Sequence, residues 1–461
     1  MPHDLAVFNT GTSQELIEQA AESDTERLDR YSLVRDYYMG EHKTMLTARI
    51  KTFLENNSLS FADNFCETVI DTMVSRLDVN GITHSNEATQ DWLSDIWAFD
   101  LEHLQNTVHH ETALLGDTFL AVGWNHLNGS PTFSVNRAEG CKAVYFQDNP
   151  DTLHYIAKKW TTSTIGPLNP KGHEIERLNI YFDSRLEKYY RLANGGDWAQ
   201  WLDNEDTMWP VPLLDAGSVP LGIPIFHFRN KPRTFAYGRS EIMPVIPLND
   251  FINKTWVDLA LIMDSMGYGR PWIAGVDDAS DYDLVPGEIM THPDKDTKFG
   301  MFPADSPEGA LRVIEKIAEH IGSRSSTPVH HLILTSGSPS GESMKTAESS
   351  LVAKIKDRQG SYGAVWSKAL EYAVKLGRLN SVPVVDDRIK IEWEDPQSRN
   401  ESENMDTMLK YKSIGVSNET LMTMAGFDPE VEKERKSKEQ TNIGAAVLRN
   451  FDRGEMGDET E

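Results

Sequence analysis

The feature that most constrains this chain is a pairing of loop and rod. From Glu342 to about Leu379 runs one of its longest helical patterns, and directly before it stands Thr335-Ser336-Gly337-Ser338-Pro339-Ser340-Gly341, a stretch almost without bulky side chains. Apolar residues recur at Met344, Ala347, Leu351 and Ile355 in steps of three and four, the period of a packed helix face. At about 1.5 Å per residue, such a helix spans roughly 50–60 Å if continuous. Gly360 and Gly363 are expected to kink it near the middle. The loop cannot bury itself, so it is expected to project into solvent or across the face of something that slides past it. Leu332-Ile333-Leu334, just upstream, reads as a short apolar strand. A long helix presenting a flexible loop is a mechanical layout.

Charge narrows the partners. The 461 residues hold 71 acidic and 45 basic side chains, a formal net charge of −26. A protein that grips nucleic acid through its phosphates normally has the opposite sign. Either nucleic acid is no partner, or it passes close by without sticking; an acidic surface also simply keeps a protein soluble. Two cysteines, Cys66 and Cys141, cannot build a disulfide framework and are expected as buried thiols in a reducing compartment. Met1 to Gln19 lacks a basic region followed by an apolar run, and no stretch reaches 18 apolar residues. Neither a secretory signal nor a membrane span is therefore expected, and the expected setting is intracellular.

The length suggests two to four structural units. Ser13 to Asn57 reads as polar helix with a stop at Gly40, and Phe61 to Leu77 as a helix with an apolar face. A helical pair follows at Asp91 to Ala98 and Leu101 to Gly116. From Phe119 to about Phe228, short strand-like runs alternate with Asn-Gly and proline turns. Pro247 to Met266 is a helix, Pro271 to Phe302 a small β-containing module, and Ser306-Pro307-Glu308 opens the next helix. The apolar stripe of that helix, Leu311, Ile314, Ile317 and Ile321, is expected to pack against Trp256, Leu259 and Met263. Two helices bracketing a small module make a stalk with a head. Ile389 to Trp393 alternates as a strand, and Glu401 to Ser413 and Asn418 to Ala425 read as helices. Beyond about Glu432 charges are dense, and the tail after Gly454 is expected to be disordered.

Catalytic chemistry finds little to stand on. Gly337 and Gly341 are separated by three residues instead of four, and Glu342 stands where a phosphate-binding loop needs lysine. Pro383 argues against Val384-Val385-Asp386-Asp387 as a metal-holding central strand. His109-His110-Glu111 and His330-His331 lack the i, i+4 spacing of a helical metal motif and read as ordinary histidines. Asp277, Asp278, Asp281, Asp283, Asp294 and Asp296 lack the periodicity of a calcium loop and read as solvated charges. No nucleophile elbow occurs, so no catalytic residue, metal or cofactor is assigned.

Several phrases appear in a fixed order: Tyr37-Tyr38-Met39-Gly40-Glu41-His42, Arg76-Leu77-x-Val79-x-Gly81, and His110-Glu111-Thr112-Ala113-Leu114-Leu115-Gly116-Asp117. Gly238-Arg239-Ser240-Glu241-Ile242 follows, with Pro247-Leu248-Asn249-Asp250-x-x-Asn253-Lys254. Pro339-Ser340-Gly341-Glu342-Ser343-Met344-Lys345-x-Ala347-Glu348 and Trp393-x-Asp395-Pro396 complete the series. From about Tyr31 to Pro429 it resembles the portal proteins of long-tailed double-stranded DNA bacteriophages, in the branch common among actinobacterial phages. One departure is Met266-Gly267-Tyr268-Gly269-Arg270-Pro271, where that family often has an aromatic-proline turn.

The resemblance implies an α+β, portal-type subunit in a ring of about twelve copies at one capsid vertex, through which DNA is packaged and later ejected. It implies a wing over residues 1–237, stem helices over 238–268 and 305–328, and a clip over 269–304. A tunnel-loop region follows over 329–343, then the long helix and a wing strand over 344–395, then a crown and tail over 396–461. The DNA-channel residues would be Ser336, Gly337, Ser338, Pro339, Ser340 and Gly341, with Arg312, Lys316 and Lys345 as basic channel-lining candidates. The same loop can also be read as an ordinary helix entry capped by Ser340. Expected partners are further copies of the chain, terminase large subunit, a head-completion adaptor, major capsid and scaffolding proteins, and transient, non-specific double-stranded DNA, with no membrane. The expected location is the virion portal vertex, with host cytoplasm during assembly. The alternative is another non-enzymatic virion ring component, such as a head–tail adaptor.

Overall fold

Helix starts along the N-terminal third are set by side-chain caps. The structure is a computed structural model describing residues 12–41, 63–149, 151–163, 173–203, 208–232, 236–266, 270–275, 296–302, 308–333, 341–397, 408–425, 432–433 and 435–436. Ser13 Oγ accepts the Leu16 N–H to open α1 (Gln14–Ala21), and Asp24 accepts that of Arg27 to open α2 (Thr25–Tyr38). Asn64 caps α3 (Phe65–Val74), which leads into β1 (Val79–Thr83). Asn86 caps α4 (Glu87–Ile96), which winds through a π-helical turn at Trp97–Leu101 straight into α5 (Glu102–Leu115). The break expected near Leu101 is thus a change of helical register. Gly116, at φ +97°, ends α5 in the left-handed region.

The β region follows as β2 (Asp117–Asn125), β3 (Ser130–Asn136), β4 (Cys141–Tyr145), β5 (Leu153–Thr162), β6 (Ile175–Tyr181), β7 (Arg185–Leu192), β8 (Ala199–Gln200), β9 (Val211–Pro212) and β10 (Ile225–Arg229). Strands β4 to β8 form an antiparallel meander, with β9 also paired to β7. A separate sheet has the order β10-β2-β3. Next come α6 (Ile246–Met266), β11 (Arg270–Ala274), β12 (Lys298–Phe302) and α7 (Glu308–Ser325). Strands β11 and β12 pair as an antiparallel ribbon, and α6 packs on α7. Then α8 (Gly341–Leu379) runs as one uninterrupted α-helix, followed by β13 (Lys390–Trp393). Strand β13 pairs antiparallel with β1, far upstream in sequence. Residues 1–396 form one compact unit and 397–461 another. Within the latter, residues 408–413 are helical, Gly415 has φ +94°, and Ser417 caps α9 (Asn418–Met424).

The main core is built around α8. Leu351, Ile355, Tyr362, Trp366, Ala369, Leu370, Ala373 and Val374 are buried there with α3, α5, β2 and β10. A second, smaller core seats α1 on the meander through Ile17, Ala20, Tyr155, Leu178, Ile180 and Tyr189. Cys66 and Cys141 are both buried free thiols.

Three local expectations need correction. Leu332 and Ile333 form a turn after a 3-10 helix at Val329–His331, not a strand; Leu334 and the loop to Ser340 lie outside the described residues. On α8, Met344 and Ala347 are exposed, and burial starts at Glu348 and Leu351, so the first turns stand clear of the core. Between α6 and α7, Ile314, Ile317, Ile321 and Leu259 are buried as expected, but Leu311 and Met263, toward the ribbon, are exposed. The chain stays helical through Gly360 and Gly363. A Cβ on Gly363 would lie 3.0 Å from Trp393 Nε1, so that glycine lets β13 approach the helix.

The difference in burial along α7 gives a paired test. Ile317→Asp places an unpaired charge in an apolar contact and should cost about 3–5 kcal/mol, whereas Leu311→Asp should leave subunit melting nearly unchanged. Thermal denaturation of the two variants measures this; equal effects would contradict the packing.

Candidate functional site

Phrases scattered along the sequence meet in space where the loop-bearing helix joins the body of the subunit. Gly116 and Gly238 make the closest approach. A Cβ on Gly238 would sit 2.0 Å from the Gly116 carbonyl oxygen, and one on Gly116 would sit 2.8 Å from Arg239 N. Both neighbours are backbone, so no side chain could move aside. The approach brings the Gly238 N–H to Asp117 Oδ1 at 2.8 Å, while Tyr31 donates its hydroxyl to Oδ2 at 2.8 Å. His227 Nε2 lies 2.8 Å from the same carboxylate and Nδ1 lies 2.8 Å from the Tyr145 hydroxyl. Burial lowers the His227 pKa, although the Asp117 carboxylate opposes that shift.

Three residues further on, Glu241 donates its backbone N–H to the Ala113 carbonyl, and its buried carboxylate collects cations from two parts of the chain. Lys231 Nζ is 2.5 Å from Oε2, Lys354 Nζ is 3.4 Å from Oε2, and Arg358 Nη2 is 2.9 Å from Oε1. Asn230 Nδ2 also donates to Oε1 at 3.0 Å. Burial alone would raise the Glu241 pKa, but Lys354, Lys231 and Arg358 together hold it down to about 2. Lys354 further donates to the carbonyl of Ser325, the last residue of α7, at 2.7 Å. One ammonium thus ties α8 to both the Glu241 segment and the end of α7.

Nearer the loop, Arg76 grips Glu348 with two bonds, Nη2 to Oε1 at 3.1 Å and Nη1 to Oε2 at 3.2 Å. Deeper in, Trp366 donates its indole N–H to His109 Nε2 at 2.9 Å, and the His109 ring stacks on Tyr362. An indole can only donate, so His109 must accept and is neutral. Burial lowers its pKa to about 3. At the start of α6, Asn249 accepts the Phe65 N–H at 3.1 Å, and Asn253 both accepts from and donates to the Asp63 backbone. Tyr37 donates to Asp250 at 2.7 Å.

Against this frame, Ser336, Gly337, Ser338, Pro339 and Ser340 lie outside the described residues, and Gly341 is the first residue of α8. Lys345 is exposed on the second turn. Arg312 and Lys316 are exposed on α7, each beside a carboxylate of its own helix: Glu308 at 3.8 Å and Glu319 at 2.7 Å. The three cations are not gathered into one cluster by these contacts. Lys354, Arg358 and His109, which anchor the helix, carried no recognisable motif; their periodic placement on the buried face of α8 and α5 was the only available signal.

The sequence profile described as phage portal protein, SPP1 Gp6-like, matches residues 17–444. The chain belongs to that family. Among portal relatives, it is 24% identical over 258 residues to the portal protein of Mycobacterium phage D29, covering 53% of this chain and 50% of that one. It is 23% identical over 296 residues to the portal protein of Mycobacterium phage L5, covering 60% and 58%. The matched region thus spans about half the length of these portal relatives. No helix among the described residues is long and apolar enough to cross a membrane.

The His109 contact makes a pH prediction. Its folded pKa is depressed from 6.5 to about 3, so between those values the unfolded chain binds a proton that the folded chain does not. Stability should therefore fall as pH drops through that window, by at most about 1.4 kcal/mol per pH unit from this residue. His109→Gln keeps an acceptor for Trp366 without titrating. The melting-temperature gap between wild type and this variant should narrow from pH 7 to pH 4; a constant gap would contradict a neutral, buried His109.

Proposed function

We propose that the chain is the subunit of a ring at one capsid vertex, through which double-stranded DNA is packaged and ejected. The observation that carries this reading is the family match, which runs without a gap in range across the α6–α7 pair, the loop and α8. In this reading the packed helices α6 and α7 are the stem, and the β11–β12 ribbon belongs to the clip that docks terminase and then the head-completion protein. The tunnel-loop region covers 329–343, the unit up to residue 237 is the wing, and the chain beyond 396 is the crown. In this reading the protein's role is structural.

Physical features support the same reading. Leu311, Val313 and Met263 are exposed around the α6–α7 pair of the isolated subunit, surfaces suited to burial against neighbouring copies in a ring. A ring of about twelve copies at −26 each carries on the order of −300 formal charges, which repel an average phosphate. A channel for moving DNA works best when it binds weakly everywhere, since tight sites act as brakes. Arg312, Lys316 and Lys345 steady the duplex in this account, and two of them are already screened by carboxylates on their own helix. The uncharged loop offers hydroxyls and adaptable backbone, so each copy touches a passing duplex with little sequence preference.

Stiffening the loop tests the proposal. Gly337→Val with Gly341→Val should leave ring assembly intact and reduce the DNA packaged per head. Unchanged packaging would show that the loop does not touch DNA, and failed assembly would make it a structural element instead. Deleting Asp277 to Asp283 should likewise give a folded ring with empty capsids, because the docking surface is lost while the core is untouched. DNA-filled heads from that deletion would contradict the clip assignment.

A further inference from the structure

Adjacent histidines seldom face one ligand, yet His330 and His331 do so here. They end the short 3-10 helix Val329–His331, and their ring centroids lie 4.3 Å apart at an interplanar angle of 39°. Glu348, one turn beyond Met344 on α8, meets both: its Oε1 is 3.6 Å from His330 Nε2 and 3.7 Å from His331 Nε2. Ligand atoms of the three residues all fall within 4.8 Å of one another. His331 Nε2 is shielded from solvent without a hydrogen-bond partner, since 3.7 Å exceeds hydrogen-bond reach. An orphaned, buried imidazole nitrogen aimed at a carboxylate is costly unless something sits between them.

We propose that His330 Nε2, His331 Nε2 and Glu348 Oε1 form a three-ligand site for a divalent transition metal of the Zn²⁺ class. Metal bonds of about 2.0–2.1 Å at tetrahedral angles place ligand atoms roughly 3.3 Å apart. The two histidine–carboxylate separations exceed that by a few tenths of an ångström and the third pair lies within 4.8 Å, differences that side-chain rotations can close. Two imidazoles and one carboxylate favour Zn²⁺ or Co²⁺ over Mg²⁺ or Ca²⁺, which prefer all-oxygen shells. Arg76 donates to both oxygens of the carboxylate, Nη2 to Oε1 at 3.1 Å and Nη1 to Oε2 at 3.2 Å, fixing its orientation as an outer-shell partner does. Its positive charge also weakens the attraction for a cation, so the site is reversible rather than permanently filled.

The consequence is mechanical. An ion here joins the turn that ends at His331 to the second turn of α8, clamping together the two strands of chain that lead into and out of residues 334–340. The inference stands on these side chains and does not depend on what those residues contact.

The test uses full-length, chelator-treated protein titrated with Zn²⁺ by calorimetry and with Co²⁺ by visible absorption. The expected result is one saturable Zn²⁺ per subunit and an intense tetrahedral Co²⁺ band that Zn²⁺, but not excess Mg²⁺, abolishes. His330→Ala and His331→Ala leave the Arg76–Glu348 pair intact, so they should fold while weakening Zn²⁺ binding by about tenfold or more. His126→Ala, on an exposed turn, should bind as wild type. No tetrahedral band, or equal Zn²⁺ binding by wild type and the His330→Ala/His331→Ala double variant, would overturn the site.

Discussion

The buried Glu241 carboxylate is the joint on which the rest of the subunit depends. Three cations reach it, one from the end of β10 and two from α8, and its own backbone is hydrogen-bonded to the end of α5. Removing the carboxylate would strand Lys354 inside the protein and leave Arg358 only the exposed Asp357 as counter-charge, which costs far more than an exposed ion pair gains. The geometry also restricts what the neighbouring positions can hold. Glu241 arrives at this place only because Gly238 passes within backbone contact of Gly116, and that approach requires both residues to lack a Cβ.

Force or motion at the loop would therefore be passed to a rigid body. The loop leads into α8 just before Glu348, which Arg76 holds from the end of α3, and two turns later Lys354 grips both Glu241 and the last carbonyl of α7. Beyond that, Tyr362 and Trp366 lock the helix to His109. The exposed first turns of α8 contrast with this anchorage. Along α8, burial begins at Glu348 and Leu351, where the anchoring contacts begin.

Much of the secondary structure was legible because it is written in local chemistry. The cap at Ser417, the glycines at 40, 116 and 415, and the apolar stripes of α6 and α7 all act within a few residues, whereas the Asn64 and Asn86 caps start α3 and α4 at Phe65 and Glu87, away from the Phe61 and Asp91 starts that the apolar pattern suggests. Long-range pairings were not legible. Nothing local joins β1 to β13, or Arg76 to Glu348, because the partners are hundreds of residues apart and their residue types are commonplace. Leu332 and Ile333 misled for the opposite reason: a short apolar run fits a strand or a packed turn equally well, and tertiary contact with α7 decides. His330 and His331 read as ordinary because helical spacing keeps neighbours apart; the 3-10 turn and a carboxylate from α8 bring them to a common point. The ordered phrases identified the family, since each encodes one of these contacts.

The proposed ring would account for features that an isolated subunit leaves without purpose: exposed apolar residues around α6 and α7, the ribbon between them, and the strongly acidic charge. The most direct measurement is electron microscopy of the purified full-length chain, with native mass determination on the same sample. The account predicts closed rings with a central channel wide enough for a DNA duplex, of about twelve copies. Monomers or compact dimers with no central opening, at concentrations where related rings would form, would contradict it.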